Sequence, residues 1–123
     1  FVQILSGHLL DEAYPQGRLA IVEAVSRIAF RNDPCAMRTF AMSLVDPDDT
    51  VRCAADDALA RLARHGDPEV LESLLGYLEY ESADIRCRTV RALERWAPRG
   101  HEETVEALIW LFDDGAPEVR LVA

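Results

Sequence analysis

Residues 51–67, VRCAADDALARLARHGD, and residues 85–101, IRCRTVRALERWAPRGH, repeat one pattern at a distance of 34 positions. Both stretches open on a β-branched residue followed by Arg and Cys, contain an Ala-Leu pair and carry a glycine near the end. Shifting the whole sequence by the same 34 positions aligns nearly all of it without a gap. Such a self-match indicates stacked structural repeats, because periods of roughly 20–50 residues are typical of solenoids.

The aligned columns keep the type of residue as well as the spacing. One column is apolar and β-branched, the next is arginine, a third is alanine, and the last holds the glycine or asparagine that ends each copy. Their members are Val51, Ile85 and Val119; Arg18, Arg52, Arg86 and Arg120; Ala24, Ala58 and Ala92; Asn32, Gly66 and Gly100.

Each period contains two predicted helices. The better-defined helix has one apolar stripe at helical spacing, made of Val51, Ala55, Ala58, Leu59 and Leu62. A glycine just past its end and the following Asp67-Pro68, an N-cap with proline at the first helical position, separate it from the next helix. Neither helix could bury its stripe alone, so successive pairs are predicted to stack around one continuous core.

Three stretches at the turn into the second helix of a pair resemble HEAT repeats: DPDDTVRCAADDAL at 46–59, YESADIRCRTVRAL at 80–93 and DDGAPEVRLVA at 113–123. The resemblance is to armadillo-like solenoids, and in particular to the short HEAT repeats first noted in phycobilin lyases. It implies an all-α, right-handed α-α superhelix of about three and a half helix-pair repeats, at 1–33, 34–67, 68–101 and 102–123. First helices are expected at 1–10, 34–45, 68–79 and 102–112, and second helices at 15–31, 49–65, 83–97 and from 117 onward.

The same resemblance implies a ladder of ion pairs along the stack. In such repeats an acidic residue six positions before the arginine pairs with the arginine of a neighbouring repeat. The ladder positions here are Glu12, Asp46 and Asp114 for the acids and Arg18, Arg52, Arg86 and Arg120 for the arginines. Tyr80 interrupts the acidic column, and Glu79 and Glu81 are the nearest substitutes.

The chain is expected to be a single solenoid segment over residues 1–123, cut from a longer array. It enters in the middle of a repeat, and its last predicted helix, APEVRLVA, has barely two turns. Solenoids normally finish with polar capping repeats. The sequence therefore favours a window within a larger protein.

The composition limits the partners. The net charge is −9, and all 13 basic residues are arginines. Nucleic acid is not an expected partner, because its binding needs cations that neutralise phosphates. No apolar run reaches the roughly 18–20 residues that span a bilayer, so direct membrane insertion is not expected. The three cysteines, at 35, 53 and 87, have neither disulfide-framework nor metal-site spacing and indicate reduced, largely buried thiols of an intracellular protein.

No catalytic, cofactor or metal site is predicted. His101-Glu102 resembles the His-Glu pairs of deoxyhypusine hydroxylase, a HEAT-type di-iron oxygenase, but that family has the pair just after the Val-Arg opening of a helix. Those slots hold Cys53-Ala54 and Cys87-Arg88 here, so capping of the next helix is the expected role of His101. The chain is predicted not to be an enzyme. Two alternatives stay open: a chromophore-handling subunit like the phycobilin lyases, and a HEAT-type metal oxygenase.

The predicted function is binding or scaffolding of other proteins in a larger assembly, through a helix, a peptide or a wider surface. HEAT arrays are mostly binding scaffolds, and their second helices line the concave face. The candidate contact residues lie on those helices, on the outer helices and at the turns: Leu19, Val22, Phe30, Cys53, Asp56, Asp57, Arg64, Cys87, Arg91, Trp110 and Tyr77. Trp96 is expected in the core, because its column contains Ile28 and Leu62.

Overall fold

The structure, a computed structural model, describes residues 14–122, with side chains from 14 to 120. The helix expected at 1–10, the ladder residue Glu12 and the side chain of Leu121 lie outside the described residues. Seven α-helices and one short 3-10 helix account for the regular structure of residues 14–122, and no strand occurs among them. The predicted all-α class is confirmed.

The helices begin at the predicted residues and end slightly earlier. Their bounds are α1 Pro15–Ile28, α2 Pro34–Ser43, α3 Asp49–Leu62, α4 Pro68–Tyr77, α5 Ala83–Trp96, α6 Glu102–Trp110 and α7 Pro117–Val122, with a 3-10 helix at Leu111–Asp113. The early ends of α1, α3 and α5 have one cause. The residue after each helix, Ala29, Ala63 or Ala97, is already extended, with ψ values of 143°, 149° and 138°.

Side chains at the predicted turns start the helices. Asp33, Asp48 and Asp67 each accept hydrogen bonds from two backbone N–H groups of the first turn of the helix that follows. Such an N-cap satisfies amide groups that have no partner within the helix. His101 caps α6 in the same way, since its Nδ1 accepts from the backbone N–H of Thr104 at 3.4 Å.

The turns that follow α1, α3 and α5 share one backbone conformation. Asn32, Gly66 and Gly100, which form one sequence column, have φ values of 59°, 79° and 78°. This left-handed region favours glycine and tolerates asparagine. The period of 34 residues in the sequence is thus repeated in the backbone at these turns.

The helices pack as neighbouring pairs around a continuous apolar core. Consecutive helices pack on each other, as α2 does on α3 and α4 on α5, whereas α6 and α7 both pack on the 3-10 helix between them. Between pairs, α1 packs on α3, α2 on α4 and α5 on α7. The stripe predicted for α3 points inward, since Val51, Ala55, Ala58 and Leu59 are all buried.

Two junctions depart from this arrangement. The backbones of α3 and α5 approach each other only sparsely, although the equivalent helices α1 and α3 pack closely, and α4 and α6 are sparsely packed compared with α2 and α4. Among the odd-numbered helices, the stack is therefore closed at the α1/α3 and α5/α7 junctions and opens at the α3/α5 junction; among the even-numbered helices it opens at the α4/α6 junction.

Candidate functional site

An Arg–Asp bridge closes the α1/α3 junction. Arg18 of α1 donates from Nε to Asp46 Oδ2 at 2.8 Å and from Nη2 to Oδ1 at 3.1 Å. The two side chains are only 15% and 10% exposed. Asp46 Oδ1 also accepts from the backbone N–H of Asp48 at 2.8 Å, which fixes the carboxylate in the turn before α3. A bidentate guanidinium–carboxylate pair of this kind is strong and directional.

The same bridge recurs at the α5/α7 junction. Arg86 donates from Nε to Asp114 Oδ2 at 2.9 Å and from Nη2 to Oδ1 at 2.8 Å. The backbone N–H of Ala116 completes the carboxylate's bonding at 2.9 Å. The Arg86 guanidinium holds the pKa of Asp114 below its usual value, and burial opposes this effect more weakly.

The α3/α5 junction has no such bridge. Position 80, where the carboxylate would stand, is Tyr80, and its ring packs edge-on against Tyr77 with the centroids 5.3 Å apart. Arg52 donates from Nη1 to the carbonyl oxygen of Asp46 at 2.6 Å, as Arg86 does to that of Tyr80, but its Nη2 donates to Asp49 Oδ1 of its own helix at 3.0 Å. Its partners thus lie within six positions along the chain, and the cross-repeat substitution suggested for Glu79 or Glu81 is wrong.

A groove of about 500 Å³ occupies the opening between α3 and α5. One wall is α3, the other is α5, and the turn between α2 and α3 closes one end. The lining residues are Leu44, Pro47, Arg52, Cys53, Asp56, Asp57, Arg88, Arg91, Ala92, Arg95 and Trp96. Its volume lies in the range of about 300–1,000 Å³ that is typical of ligand pockets.

Polar contacts hold the two sides of the groove at a fixed distance. Arg88 of α5 donates from Nε to the carbonyl oxygen of Val45 at 2.8 Å, and thereby ties α5 to the turn before α3. Asp56 of α3 accepts from Arg95 Nε at 2.5 Å and from Trp96 Nε1 at 3.1 Å. The groove is therefore preformed, which lowers the entropic cost of binding a ligand.

Some of the charges in the groove are already neutralised and others are not. Arg95 is paired with Asp56, and Arg52 with Asp49. Arg91 is exposed and makes no hydrogen bond or salt bridge within the described residues, and the same is true of the Asp57 side chain. Both remain available to a ligand.

Cys53 and Cys87, which occupy the same place in the two repeated stretches 51–67 and 85–101, lie in different environments. Cys53 is exposed and lines the groove, whereas Cys87 is buried. Burial raises the pKa of the Cys87 thiol, and the carboxylate of Glu118 on α7 adds to this effect. The prediction of Cys87 as a contact residue is therefore wrong, because Cys87 is buried on α5, against which α7 packs, whereas Cys53 on α3 is exposed.

The groove brings together four of the predicted contact residues, Cys53, Asp56, Asp57 and Arg91. Val22 is wrong as a contact residue, because it is 0% exposed in the core between α1 and its neighbours. Phe30 and Trp110 are 83% and 80% exposed but lie away from the groove. Leu19 is half-buried and packs against the core, and Arg64 is exposed at the turn after α3.

Tyr77 lies on the other side of the stack. It lines a second depression, of about 590 Å³, together with Tyr80 and the Arg38–Glu69 salt bridge between α2 and α4. Burial, with a smaller contribution from Tyr80, raises the pKa of Tyr77 to about 12. Tyr77 is therefore a neutral, half-buried hydroxyl at neutral pH.

Sequence reasoning missed Arg88, Arg95 and Trp96 as groove residues. Trp96 is 8% exposed, in agreement with the core position predicted for it, yet the edge of its indole borders the groove and its N–H binds Asp56. The sequence contained a signal that could have predicted Arg88 and Arg95 as groove residues. They flank Arg91 at spacings of three and four on α5, which places all three on one helix face.

The described residues form neither a metal site nor a membrane-spanning helix. Between residues 14 and 120, no three His, Cys, Asp or Glu side chains are placed so that they could share a metal ion. None of the helices described is long and apolar enough to cross a membrane.

No protein-family model matches this chain, and none of the curated proteins matches it. The α3/α5 groove is therefore the feature from which a function can be inferred.

Proposed function

We propose that this chain is a non-catalytic protein-binding or scaffolding module, built as a right-handed HEAT-type solenoid, which takes up part of a partner protein in the α3/α5 groove. The observation that carries the proposal is the groove itself, an opening between two helices whose equivalents at the preceding junction pack closely. Its walls are bridged by Arg88 and Asp56, and the side chains of Arg91 and Asp57 have no partner among the described residues.

The Arg–Asp bridges support the HEAT-type assignment. Both bridges join an arginine to an aspartate 28 positions further along the chain, from one predicted repeat to the next. This is the connectivity that the resemblance to HEAT repeats implies for the ladder. The left-handed turns at Asn32, Gly66 and Gly100 support a regular repeat in the same way.

The composition of the groove supports recognition of a protein. Arginine and tryptophan are enriched where binding energy concentrates in protein interfaces, and the α5 wall combines three arginines with Trp96. Shallow clefts with an apolar floor and a polar rim are typical of interfaces. Here Leu44 and Ala92 are buried beside the charged groups of the rim.

Selection of random phage-displayed peptides on the purified protein tests this proposal. Cys53 provides a local block, because it is exposed inside the groove while Cys87 is buried. In a Cys35→Ala background, alkylation with N-ethylmaleimide is expected to abolish the binding of the selected peptides. The matched control is the same protein carrying Cys53→Ser, in which alkylation is expected to leave binding unchanged.

A second variant tests the origin of the groove. Tyr80→Asp places a carboxylate at the position that Asp46 and Asp114 occupy at the closed junctions. Arg52 is then expected to bridge to residue 80, and the selected peptides are expected to bind more weakly. Failure to enrich any peptide, or binding that survives alkylation of Cys53, would contradict the proposed function.

A further inference from the structure

The α5 wall of the groove carries an arginine pair that is not neutralised. Arg88 and Arg91 are three positions apart on α5 and both line the groove. Arg88 uses Nε to bind the carbonyl of Val45, and its two terminal nitrogens have no partner among the described residues. Like charges at this helical spacing repel each other unless an anion lies between them.

The remaining charges of the groove do not cancel this pair. Arg95 and Arg52 are paired with Asp56 and Asp49, which leaves Asp57 on the opposite wall as the unpaired acid. The α5 side of the groove is therefore positive, although the chain as a whole has a net charge of −9. A local field of this sign attracts an anion in spite of the net charge, because screening limits the distant carboxylates to about 10 Å.

Apolar surface lies beside the arginine pair. Ala92 and Trp96 stand on the same wall, one and five positions beyond Arg91, and Cys53 faces them from α3. An aliphatic or aromatic side chain next to an acidic one would cover this surface while the carboxylate reaches the guanidinium groups. Two neighbouring residues of an extended or helical segment provide both groups.

We infer that the groove binds an acidic segment of a partner protein, whose carboxylates pair with Arg88 and Arg91 and whose neighbouring apolar side chain packs on Ala92, Trp96 and Cys53. The inference rests on the proposed function and names its partner chemistry. A carboxylate suits the site better than a phosphate group, because the unpaired Asp57 across the groove repels a dianion more strongly. The net charge of −9 also disfavours a polyanion such as a nucleic acid.

Nuclear magnetic resonance with matched peptides tests the inference. Three short, terminally blocked peptides share a Leu-Phe centre and differ in the flanking residues, which are glutamate, glutamine or lysine. The chain has two tryptophans, and their indole N–H signals report on different regions. Trp96 borders the groove and Trp110 is exposed outside it.

The glutamate peptide is expected to shift the Trp96 indole signal and to leave the Trp110 signal unchanged. The glutamine peptide is expected to bind at least about tenfold more weakly, since charge-assisted hydrogen bonds are roughly twice as strong as neutral ones. Added salt is expected to weaken the glutamate peptide's binding.

Two arginine variants place the contact. Arg91→Ala removes an exposed side chain that has no partner, so the fold is expected to persist, and binding of the glutamate peptide is expected to fall by about tenfold. Arg64→Ala removes an equally exposed arginine outside the groove and is expected to leave the affinity unchanged.

Two outcomes distinguish the inference from the proposed function. If glutamate and glutamine peptides bind equally well and both shift Trp96, the acidic partner is wrong and the groove remains a protein-binding site. If no peptide shifts Trp96, the acidic partner is wrong, and the phage selection decides separately whether the groove binds proteins. Binding of a single-stranded oligonucleotide in the groove in preference to the glutamate peptide would also overturn the inference.

Discussion

The α1/α3 and α3/α5 junctions are formed by equivalent helices, and only one of them is closed. At the first, Arg18 reaches across to a carboxylate that the following turn holds in place, and the helices pack closely. At the second, a tyrosine stands at the carboxylate's position, Arg52 bonds within its own turn and helix, and a groove remains. The comparison suggests that one side chain at each turn decides whether neighbouring helices are drawn together.

The α5/α7 junction supports this interpretation. Its bridge between Arg86 and Asp114 has nearly the same distances as the first bridge, and α5 and α7 pack closely. The exposure of the cysteines on α3 and α5 shows the same difference between the open and the closed junction. Cys53 and Cys87 occupy one sequence column, but only the cysteine next to the open junction is exposed.

The largest expected effect comes from removing an arginine at a closed junction. Arg18→Ala leaves the carboxylate of Asp46, whose side chain is only 10% exposed, without its counter-charge. We expect a loss of about 3 kcal/mol in the free energy of unfolding. Arg52→Ala removes a 30% exposed side chain with local partners and is expected to cost about 1 kcal/mol or less.

Urea denaturation of the two variants and of Arg64→Ala measures these differences. Arg64 is an exposed arginine whose side chain has no described partner, so its loss is expected to be close to zero. Equal losses for Arg18→Ala and Arg52→Ala would contradict the difference in stabilisation that we infer between the two junctions.

The next largest effect concerns the turns at the ends of α3 and α5. Gly66 and Gly100 have almost the same positive φ, but a Cβ at Gly66 would lie 2.8 Å from Cγ of Pro98, whereas nothing lies within 4 Å of a Cβ at Gly100. We expect Gly100→Ala to cost about 1 kcal/mol through backbone strain alone and Gly66→Ala to cost about 2 kcal/mol.

Thermal and urea unfolding of both glycine variants measures the difference. The result tests how closely the turns at the ends of α3 and α5 approach each other, because Gly66 follows α3 and Pro98 follows α5. Indistinguishable stabilities would mean that Pro98 moves away from a Cβ at position 66 at little cost. The close approach of these two turns would then not fix the width of the groove.

The cysteines give a kinetic measure of the open junction. Cys53 is expected to react with a thiol reagent at least about tenfold faster than Cys87, because thiolate character and access control reactivity. Cys87 is buried, which limits the access of the reagent. Burial also raises the pKa of its thiol, so less thiolate is present at a given pH. Mass spectrometry of the alkylated peptides measures both rates, and the unfolded chain, in which they should converge, is the control.

The smallest effect is the pH dependence of one bridge. The pKa of Asp114 is lower in the folded state than its usual value, so its contribution to stability is complete above that value and is lost as the pH falls below about 4. Unfolding experiments between pH 7 and pH 3 are expected to show a smaller acid loss for Asp114→Asn than for the unsubstituted chain. If both proteins lost the same amount of stability between pH 7 and pH 3, protonation of Asp114 would not contribute to the acid destabilisation.

The repeat, the helix starts and the core stripe could be predicted from the sequence because they depend on local chemistry. Asp33-Pro34 and Asp67-Pro68 specify where α2 and α4 begin, and apolar spacing specifies which face of α3 is buried. The helix ends were less predictable. Alanine favours a helix, and the extended conformation of Ala29 and its equivalents comes from the turn that follows.

The candidate site was only partly predictable. Cys53, Asp56, Asp57 and Arg91 followed from their position on second helices, but the same reasoning also selected Val22 and Cys87, which are buried. The position of a residue in the 34-residue alignment indicates the direction in which its side chain points. It does not indicate whether the neighbouring helix lies close enough to bury that side chain.

The sequence by itself determined that the chain forms paired helices at a period of 34 residues, since caps, breakers and apolar spacing act over a few neighbouring positions. The fold set how far apart the helices stand at each junction. Arg18 and Arg86 each meet a carboxylate 28 positions further along the chain, whereas the corresponding position for Arg52 is Tyr80, whose ring packs on Tyr77. A groove is a property of the distance between helices, and long-range partners set that distance.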